Sequence, residues 1–336
     1  MASFQDIIKF GGWYFFCAFR FISGFAHGPL LVSASNILAK WVPKGEQPRA
    51  LLLVLYAGPL IGGIIAHFGA AILITVTSTS RAVYYCWLGY ILLYAVSLVS
   101  ISYPNPESHL RVTPEERQLL NQIGPVPLFR TVLKKGLCDM QTLGIICGWI
   151  GHSITNLFVN VNLPLYLRKV LKFNILEIGI IFAAFYVCTG VGILMATKAQ
   201  RSLTRWISVV NVRRLFIIIG NLGPLICLLS VYAGCARILA ACLFTLNGLL
   251  IGPALVALRA SISDLTEDYE SIVTAWVIGV GSSSYVIAPN FIAELANTNA
   301  LLDWPHVFLV FIIVVACLTA CSVLKCSQER ADWTQT

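Results

Sequence analysis

Charge is what this sequence has least of. Asp, Glu, Lys and Arg together make up 11% of its 336 residues, against 58% hydrophobic, and its mean hydropathy is +0.81. A soluble domain carries about 25% charged residues, so this chain has less than half the charge that a water-facing surface requires. A soluble enzyme is thereby excluded. The usual catalytic patterns are missing as well: there is no H-E-x-x-H, no G-x-S-x-G, no G-x-x-x-x-G-K and no pair of aspartates inside an apolar stretch. The chain is not read as an enzyme, and no cofactor is expected. No N-x-S/T sequon occurs, and no basic run is interleaved with aromatics, so nucleic acid is not an expected partner. The 11 cysteines are mostly scattered within apolar runs and form neither a disulfide framework nor a zinc pattern.

Long apolar runs are what the sequence has in abundance. Stretches of 18 or more apolar residues recur along the chain, and each is long enough to cross a bilayer. At roughly 20 residues per span we read nine transmembrane helices, at about 11–39, 49–77, 83–103, 141–166, 174–196, 214–233, 236–258, 271–295 and 305–326. The fold class is therefore all-α and polytopic, with the lipid bilayer as partner. The longest link, Pro104 to Asp139, holds five prolines and mixed charges and reads as the hinge between two bundles. The expected organisation is an incomplete three-helix bundle over 1–103, a central loop over 104–140, a six-helix bundle over 141–326 and a tail over 327–336. A second link, Thr197 to Arg213, is basic. Counted on alternate sides, 16 of the 23 Lys and Arg fall on one side and 6 on the other. The richer side, with the C-terminus, is expected in the cytoplasm. Arg168, Lys169 and Lys172 run against that rule and suggest an anion-attracting vestibule.

Few polar residues lie inside the spans. Arg20, early in the first span, has apolar neighbours on both sides. An arginine at membrane depth costs on the order of 3 kcal/mol or more, so it either faces a polar cavity, where its planar guanidinium suits a carboxylate or phosphate, or snorkels to the headgroups. His27 lies seven residues on, two turns along the same face. It either senses protons or lines an anion cavity, or it bonds a neighbouring backbone carbonyl. His152, with Ser153, Thr155 and Asn156, forms the densest polar patch of the second half. That patch serves either substrate or helix-to-helix hydrogen bonds. His67 reads as a packing residue. Gly58, Gly62, Gly63, Gly69, Gly279 and Gly281 are expected to permit close helix contact or bending, and Pro59 and Pro289 to kink their spans.

Several stretches, taken in order, resemble the anion:cation symporter family of the major facilitator superfamily, which includes vesicular glutamate transporters, sialin and sodium-phosphate cotransporters. They are R-F-I-S-G from Arg20, K-W-V-P-K-G-E-Q-P-R from Lys40 to Arg49, and P-E-S-H-L-R-V-T-P-E-E-R from Pro106 to Arg117, with His109, Glu115 and Glu116 in register. N-V-R-R-L from Asn211, D-L-T-E-D-Y from Asp264, Gly279 with Gly281, Pro289 and W-P-H-V-F from Trp304 continue the series. Each is weak alone; together, in correct order and spacing, they make a strong match.

The resemblance implies that the first span here corresponds to the fourth helix of twelve, so that about three N-terminal helices of the family fold are lacking. It implies that Arg20 matches the arginine that engages anionic substrates. It also exposes departures: His27 stands where proton-coupled members have an acid, His152 where glutamate-carrying members have a second arginine, Thr197 in place of a loop acid and Ile278 in place of an asparagine. The implied function is transport of phosphate or a monocarboxylate-type organic anion by alternating access, with Arg20, His27, His152 and Ser153 as the substrate-binding residues. The driving force is a sodium gradient, a proton gradient or the membrane potential. The membrane is the cell surface or a vesicular or lysosomal one. The alternative is a transport-inactive family member, a remnant or a regulatory partner of a full-length relative.

Overall fold

The computed structural model describes residues 53–101, 139–232, 237–265, 270–285 and 304–326, together with isolated residues between 12 and 50 and residues 103 and 113. Among the described residues the elements are all helical. A π-helical turn, Leu53–Ala57, leads into α1 (Gly58–Thr77), followed by α2 (Arg81–Ile101) and α3 (Met140–Leu157). A second π-helical turn, Phe158–Asn162, joins α3 to α4 (Leu163–Lys169). Then come α5 (Ile175–Leu203), α6 (Val209–Tyr232), α7 (Arg237–Leu265), α8 (Glu270–Ser282) and α9 (Trp304–Lys325). Seven described helical runs are long and apolar enough to cross a membrane, with α3 and α4 counted as one run from Met140 to Lys169. Of the nine expected spans, the first lies mostly outside the described residues, and the eighth is described only as far as residue 285. Arg20, His27, Pro289, the tail over 327–336 and nearly all of the link from Pro104 to Asp139 also lie outside them.

The helix ends depart from the hydropathy reading in one systematic way. α5 runs seven residues past the expected end of its span, and so does α7. Hydropathy marks the part of a helix that lies in hydrocarbon, whereas the helix itself continues as long as its residues are good helix formers. Ala199, Gln200 and Arg201 are such residues, with long stems or small side chains that cost little rotamer freedom. The expected basic loop from Thr197 is therefore largely helix, reduced to a turn at residues 204–208. Start signals are local and legible. Asp139 caps α3, accepting hydrogen bonds from the Thr142 amide at 2.8 Å and hydroxyl at 2.9 Å. Asn174 and Glu177 cap α5 reciprocally, each bond 2.7 Å long. Pro59 sits in the first turn of α1. There its missing N–H matters least, and the run changes from π to α at this point.

Tertiary contacts divide the chain into two compact units, Met1–Gly58 with Gly69–Pro125, and Pro59–Phe68 with Val126–Thr336. In the first, α2 buries none of its residues. Its hydroxyls turn back on the helix, Ser97 donating to the Leu93 carbonyl and Ser100 to that of Val96, both at 2.8 Å. That is how a lone hydroxyl is satisfied where water is absent.

In the second unit α7 packs against α5 and α6, and α3 against α9. Glycines set the α5–α7 approach. A Cβ on Gly192 would stand 2.6 Å from the Leu249 carbonyl oxygen, and one on Gly252 would stand 2.5 Å from the Gly192 carbonyl carbon. One on Gly248 would collide with the Phe185 carbonyl. Gly248 and Gly252 form a G-x-x-x-G stripe, the arrangement that lets two helix backbones touch. The glycines expected on α1 and α8 bear this out in part. Gly62, Gly69 and Gly279 have open space where a Cβ would be, while Gly63 and Gly281 lie under the rings of Tyr186 and Trp149.

At the end of the unit where α5 and α7 overrun their spans, Arg213 of α6 donates to Asp264 of α7 at 2.5 Å. This brings together two of the stretches that carry the family resemblance, N-V-R-R-L and D-L-T-E-D-Y. The Arg213 side chain is 4% exposed and that of Asp264 39%, so the arginine is no loop cation. Nearby, Arg214 donates to the Cys326 carbonyl at 3.3 Å. Burial pushes the Cys326 thiol up, opposed by Arg213, Arg214 and a hydrogen bond with Ser261.

This packing can be tested in two ways. Gly252→Leu forces α5 and α7 apart and should destabilise the protein by at least ~1–3 kcal/mol, the usual overpacking cost, lowering its melting temperature on fluorescence-detected size exclusion; Gly62→Ala should leave that temperature unchanged. Asp264→Asn strands a buried guanidinium and should also lower it, whereas Arg213→Met combined with Asp264→Leu should recover most of the loss; no recovery would mean that the pair acts other than by compensating charge.

A directed hydrogen-bond ladder as candidate functional site

α3 and the π turn that follows it carry His152, Asn156 and Asn160 at intervals of four residues. Four residues is close to one helical turn, so the three side chains stand in a column. His152 is 3% exposed. Its Nε2 lies 2.8 Å from Asn156 Nδ2. Asn160 Nδ2 lies 2.9 Å from the Asn156 backbone oxygen and 3.4 Å from its side-chain oxygen. From α5, Tyr186 reaches across and donates its hydroxyl to Asn160 Oδ1 at 3.0 Å.

These bonds have one consistent direction. Tyr186 donates to Asn160, Asn160 to Asn156 and Asn156 to His152. An amide NH₂ only donates, so the imidazole Nε2 that faces it must accept, and the neutral ring then carries its proton on Nδ1. His152 Nδ1 is buried and has no hydrogen-bond partner among the described residues. The ladder thus ends, among the described residues, in an N–H donor without a partner inside an apolar helix bundle. An unmade bond of this kind costs about 1–3 kcal/mol, and aligned bonds polarise one another toward the open end. What this end can do is donate to an oxygen, most strongly to an anionic one.

The surroundings fix the ladder in place. The Trp149 ring centre lies 5.9 Å from that of His152, and Trp149 itself rests against Gly281 of α8. Tyr186 sits over Gly63, where a Cβ would come within 2.5 Å of its Cζ. His67 stacks on Phe182 at 4.8 Å with 5° between the planes and tilts against Tyr186 at 5.4 Å. Its Nδ1–H donates to the Gly63 carbonyl at 3.0 Å. His67 therefore supports the tyrosine by packing.

The polar patch around His152 divides into two faces. Ser153 is buried beside His152. Thr155 points elsewhere: its hydroxyl lies 3.0 Å from the Gly151 carbonyl and 3.1 Å from that of Asn221. Asn221 in turn donates to the Gly148 carbonyl at 3.2 Å and to Thr319 at 3.3 Å. This second face ties α3, α6 and α9 together. Among the expected site residues, then, His152 and Ser153 are both buried as consecutive residues of α3, while Arg20 and His27 lie outside the described residues. Asn160 and Tyr186 are members of the ladder that the sequence alone does not single out. The four-residue spacing of His152, Asn156 and Asn160 is a signal for the first, but nothing local marks Tyr186, which joins from another helix. Among the described residues no cluster of His, Cys, Asp and Glu could hold a metal.

Comparison with known proteins agrees with this architecture. The chain is 23% identical over 346 aligned positions to an inorganic phosphate cotransporter, so named, of Drosophila ananassae, covering 96% of the chain and 69% of that protein. It is 25% identical to sialin of Ovis aries, over 87% of the chain and 60% of the relative. It is 24% identical to vesicular glutamate transporter 2 of Mus musculus, over 94% and 55%. The chain thus spans between about half and two thirds of the length of these relatives. They match the resemblance read from the motifs. A family model described as Major Facilitator Superfamily matches residues 2–211, and with its multiple apolar helices this chain is a multi-pass membrane protein belonging to that superfamily.

Proposed function

We propose that this protein moves a small anion, phosphate or a monocarboxylate-type organic anion, across a membrane by alternating access, and that the open end of the ladder at His152 is one of its contacts to substrate. The observation that carries the reading is the unpartnered Nδ1–H, held as a donor by three hydrogen bonds in series. A buried donor left without a partner costs stability, and a passing anionic oxygen would offset that cost. A neutral imidazole also releases its ligand more readily than a guanidinium, as a carrier must. This suits a solute of low charge. Ser153 supplies a second short polar side chain next to it. Arg20 and His27 complete the proposed set from the first span, Arg20 as the charge that attracts the anion. Support also comes from the relatives, among whose names are an inorganic phosphate cotransporter and a vesicular glutamate transporter. Coupling to sodium, to protons or to the membrane potential, with a cytoplasmic C-terminus, belongs to the same proposal.

The test is uptake of labelled phosphate, urate, sialic acid and glutamate into proteoliposomes. Wild-type protein should accumulate at least one of them. His152→Phe, which removes the donor but keeps a ring, should cut uptake tenfold or more with the melting temperature unchanged. His152→Gln, which keeps an N–H, should retain part of the activity, and Tyr186→Phe should lower it by less than His152→Phe does. Arg20→Ala should abolish it. Equal uptake by wild type and His152→Phe would remove the ladder from the mechanism. Absence of uptake by the chain alone, with altered uptake when a full-length relative is present, would support a regulatory partner instead.

A further inference from the structure

The turn between α4 and α5 carries charge that neither the ladder nor the ion pairs use. Arg168 and Lys169 lie in the last turn of α4 and Lys172 follows in the link, all three exposed. Helix directions alternate through the second unit, so this turn lies at the end opposite to Lys198, Arg201 and the Arg213–Asp264 pair. Glu177 is the acid of this end among the described residues, and it is already committed. It accepts from Arg237 at 2.6 Å and from the Asn174 amide at 2.7 Å. Arg168, Lys169 and Lys172 form no ion pair among the described residues. The C-terminus of a helix presents about half a negative charge, which leaves three cations far from neutralised.

The backbone holds them in place. Lys172 has φ 55°, a left-handed conformation that favours glycine and costs another residue roughly 1–2 kcal/mol. The turn is closed by Val170 donating to the Tyr166 carbonyl at 2.9 Å and Phe173 to that of Leu167 at 3.0 Å. Phe173 is buried in the core, with the Arg237 guanidinium 4.2 Å above its ring. A cation therefore occupies a position where the backbone itself would favour glycine, on a turn pinned at both sides. Asn160, a rung of the ladder, precedes Arg168 by eight residues of one helical run, or about 12 Å at 1.5 Å per residue. His152, the open end of the ladder, lies about 24 Å from Arg168 on the same count, roughly three screening lengths at physiological ionic strength, so the three cations act on a solute outside the bundle and not on one at the ladder.

We propose that Arg168, Lys169 and Lys172 form an electropositive mouth that gathers small anions at this end of the helix bundle, setting apparent affinity without contributing to turnover. The proposal rests on the anion-transport reading for its purpose, but the mouth itself can be measured apart from transport.

The triple variant Arg168→Gln, Lys169→Gln, Lys172→Gln should raise KM for an anionic solute about 3–10-fold at low ionic strength, the low end of electrostatic steering, with the saturated rate within twofold of wild type. The difference should vanish in ~0.5 M salt, where screening is short, and Arg168→Lys, Lys169→Arg, Lys172→Arg should behave as wild type. An unchanged KM, a rise that persists in high salt, or a loss confined to the saturated rate would overturn it. The second readout needs no transport. A thiol introduced by Asn174→Cys should react faster with a sulfonate-bearing than with a trimethylammonium-bearing methanethiosulfonate, relative to the same thiol in the triple variant. An equal ratio in both backgrounds would overturn the mouth whether or not the protein transports. A shifted ratio in a protein that takes up no anion would leave the mouth standing and sink the transport reading.

Discussion

A polar group inside a bilayer has no water to turn to, so each one must be bonded to the protein or left at a cost. In this protein that rule shapes almost every polar contact within the apolar helices. Hydroxyls fold back on carbonyls one turn away, as Thr75 does to Ala71 at 2.8 Å. Asn221 bonds across helices. His67 bonds Gly63 within its own helix. The ladder from Tyr186 to His152 is satisfied at every rung except the last, where His152 Nδ1, like the Asn247 amide and Trp276 Nε1, has no partner among the described residues. The last member is an imidazole whose Nε2 accepts from Asn156, so its other nitrogen carries the proton and the end here is a buried N–H. The same scarcity of alternatives that makes the bonds strong makes an open end costly.

The ladder depends on how closely the helices approach. Between helices in lipid the hydrophobic effect contributes little, and contact surface and hydrogen bonds must hold the bundle. Glycine supplies that contact at α5–α7, where Gly192, Gly248 and Gly252 place backbone against backbone. The position of α5 in turn sets the position of Tyr186. The Phe182, Phe185 and Phe244 rings fill the space beside this crossing, with centroids 5.3–6.2 Å apart. The ion pairs lie at the two ends of α7: Arg237 is bound to Glu177 of α5 at one, and Asp264 to Arg213 of α6 at the other. α7 is thereby fixed at both ends and along its middle, and it is the element around which the second unit is assembled.

Much of this architecture is legible in the amino-acid sequence, and the reasons for the exceptions are specific. The spans are readable because hydrocarbon thickness fixes their length and excludes charge. Hydropathy misplaces the ends of α5 and α7 because it locates the membrane and not the helix. Arg213 reads as a loop cation because a single sequence does not show that Asp264, 51 residues away, returns beside it. Of the glycines on α1 and α8, Gly63 and Gly281 make close contact, with Tyr186 and Trp149, while the backbone-to-backbone contact lies on α5 and α7. A G-x-x-x-G stripe reports the capacity for close approach, and whether it is used depends on what lies opposite.

By itself the sequence determined the class of the protein, its membrane spans, the asymmetry of charge between its two sides, and the family to which its ordered motifs belong. Class and spans follow from composition and periodicity, which are local quantities, and the family from the resemblance of the motifs. It also located His152 and Ser153 as polar residues in an apolar helix. Tertiary structure decided how those residues are joined to the rest. Direction in a hydrogen-bond chain is a property of several side chains at once, and here the first donor comes from α5 and the rest from α3 and its π turn. Only the packing of those two helices turns an isolated histidine into the open end of a polarised ladder.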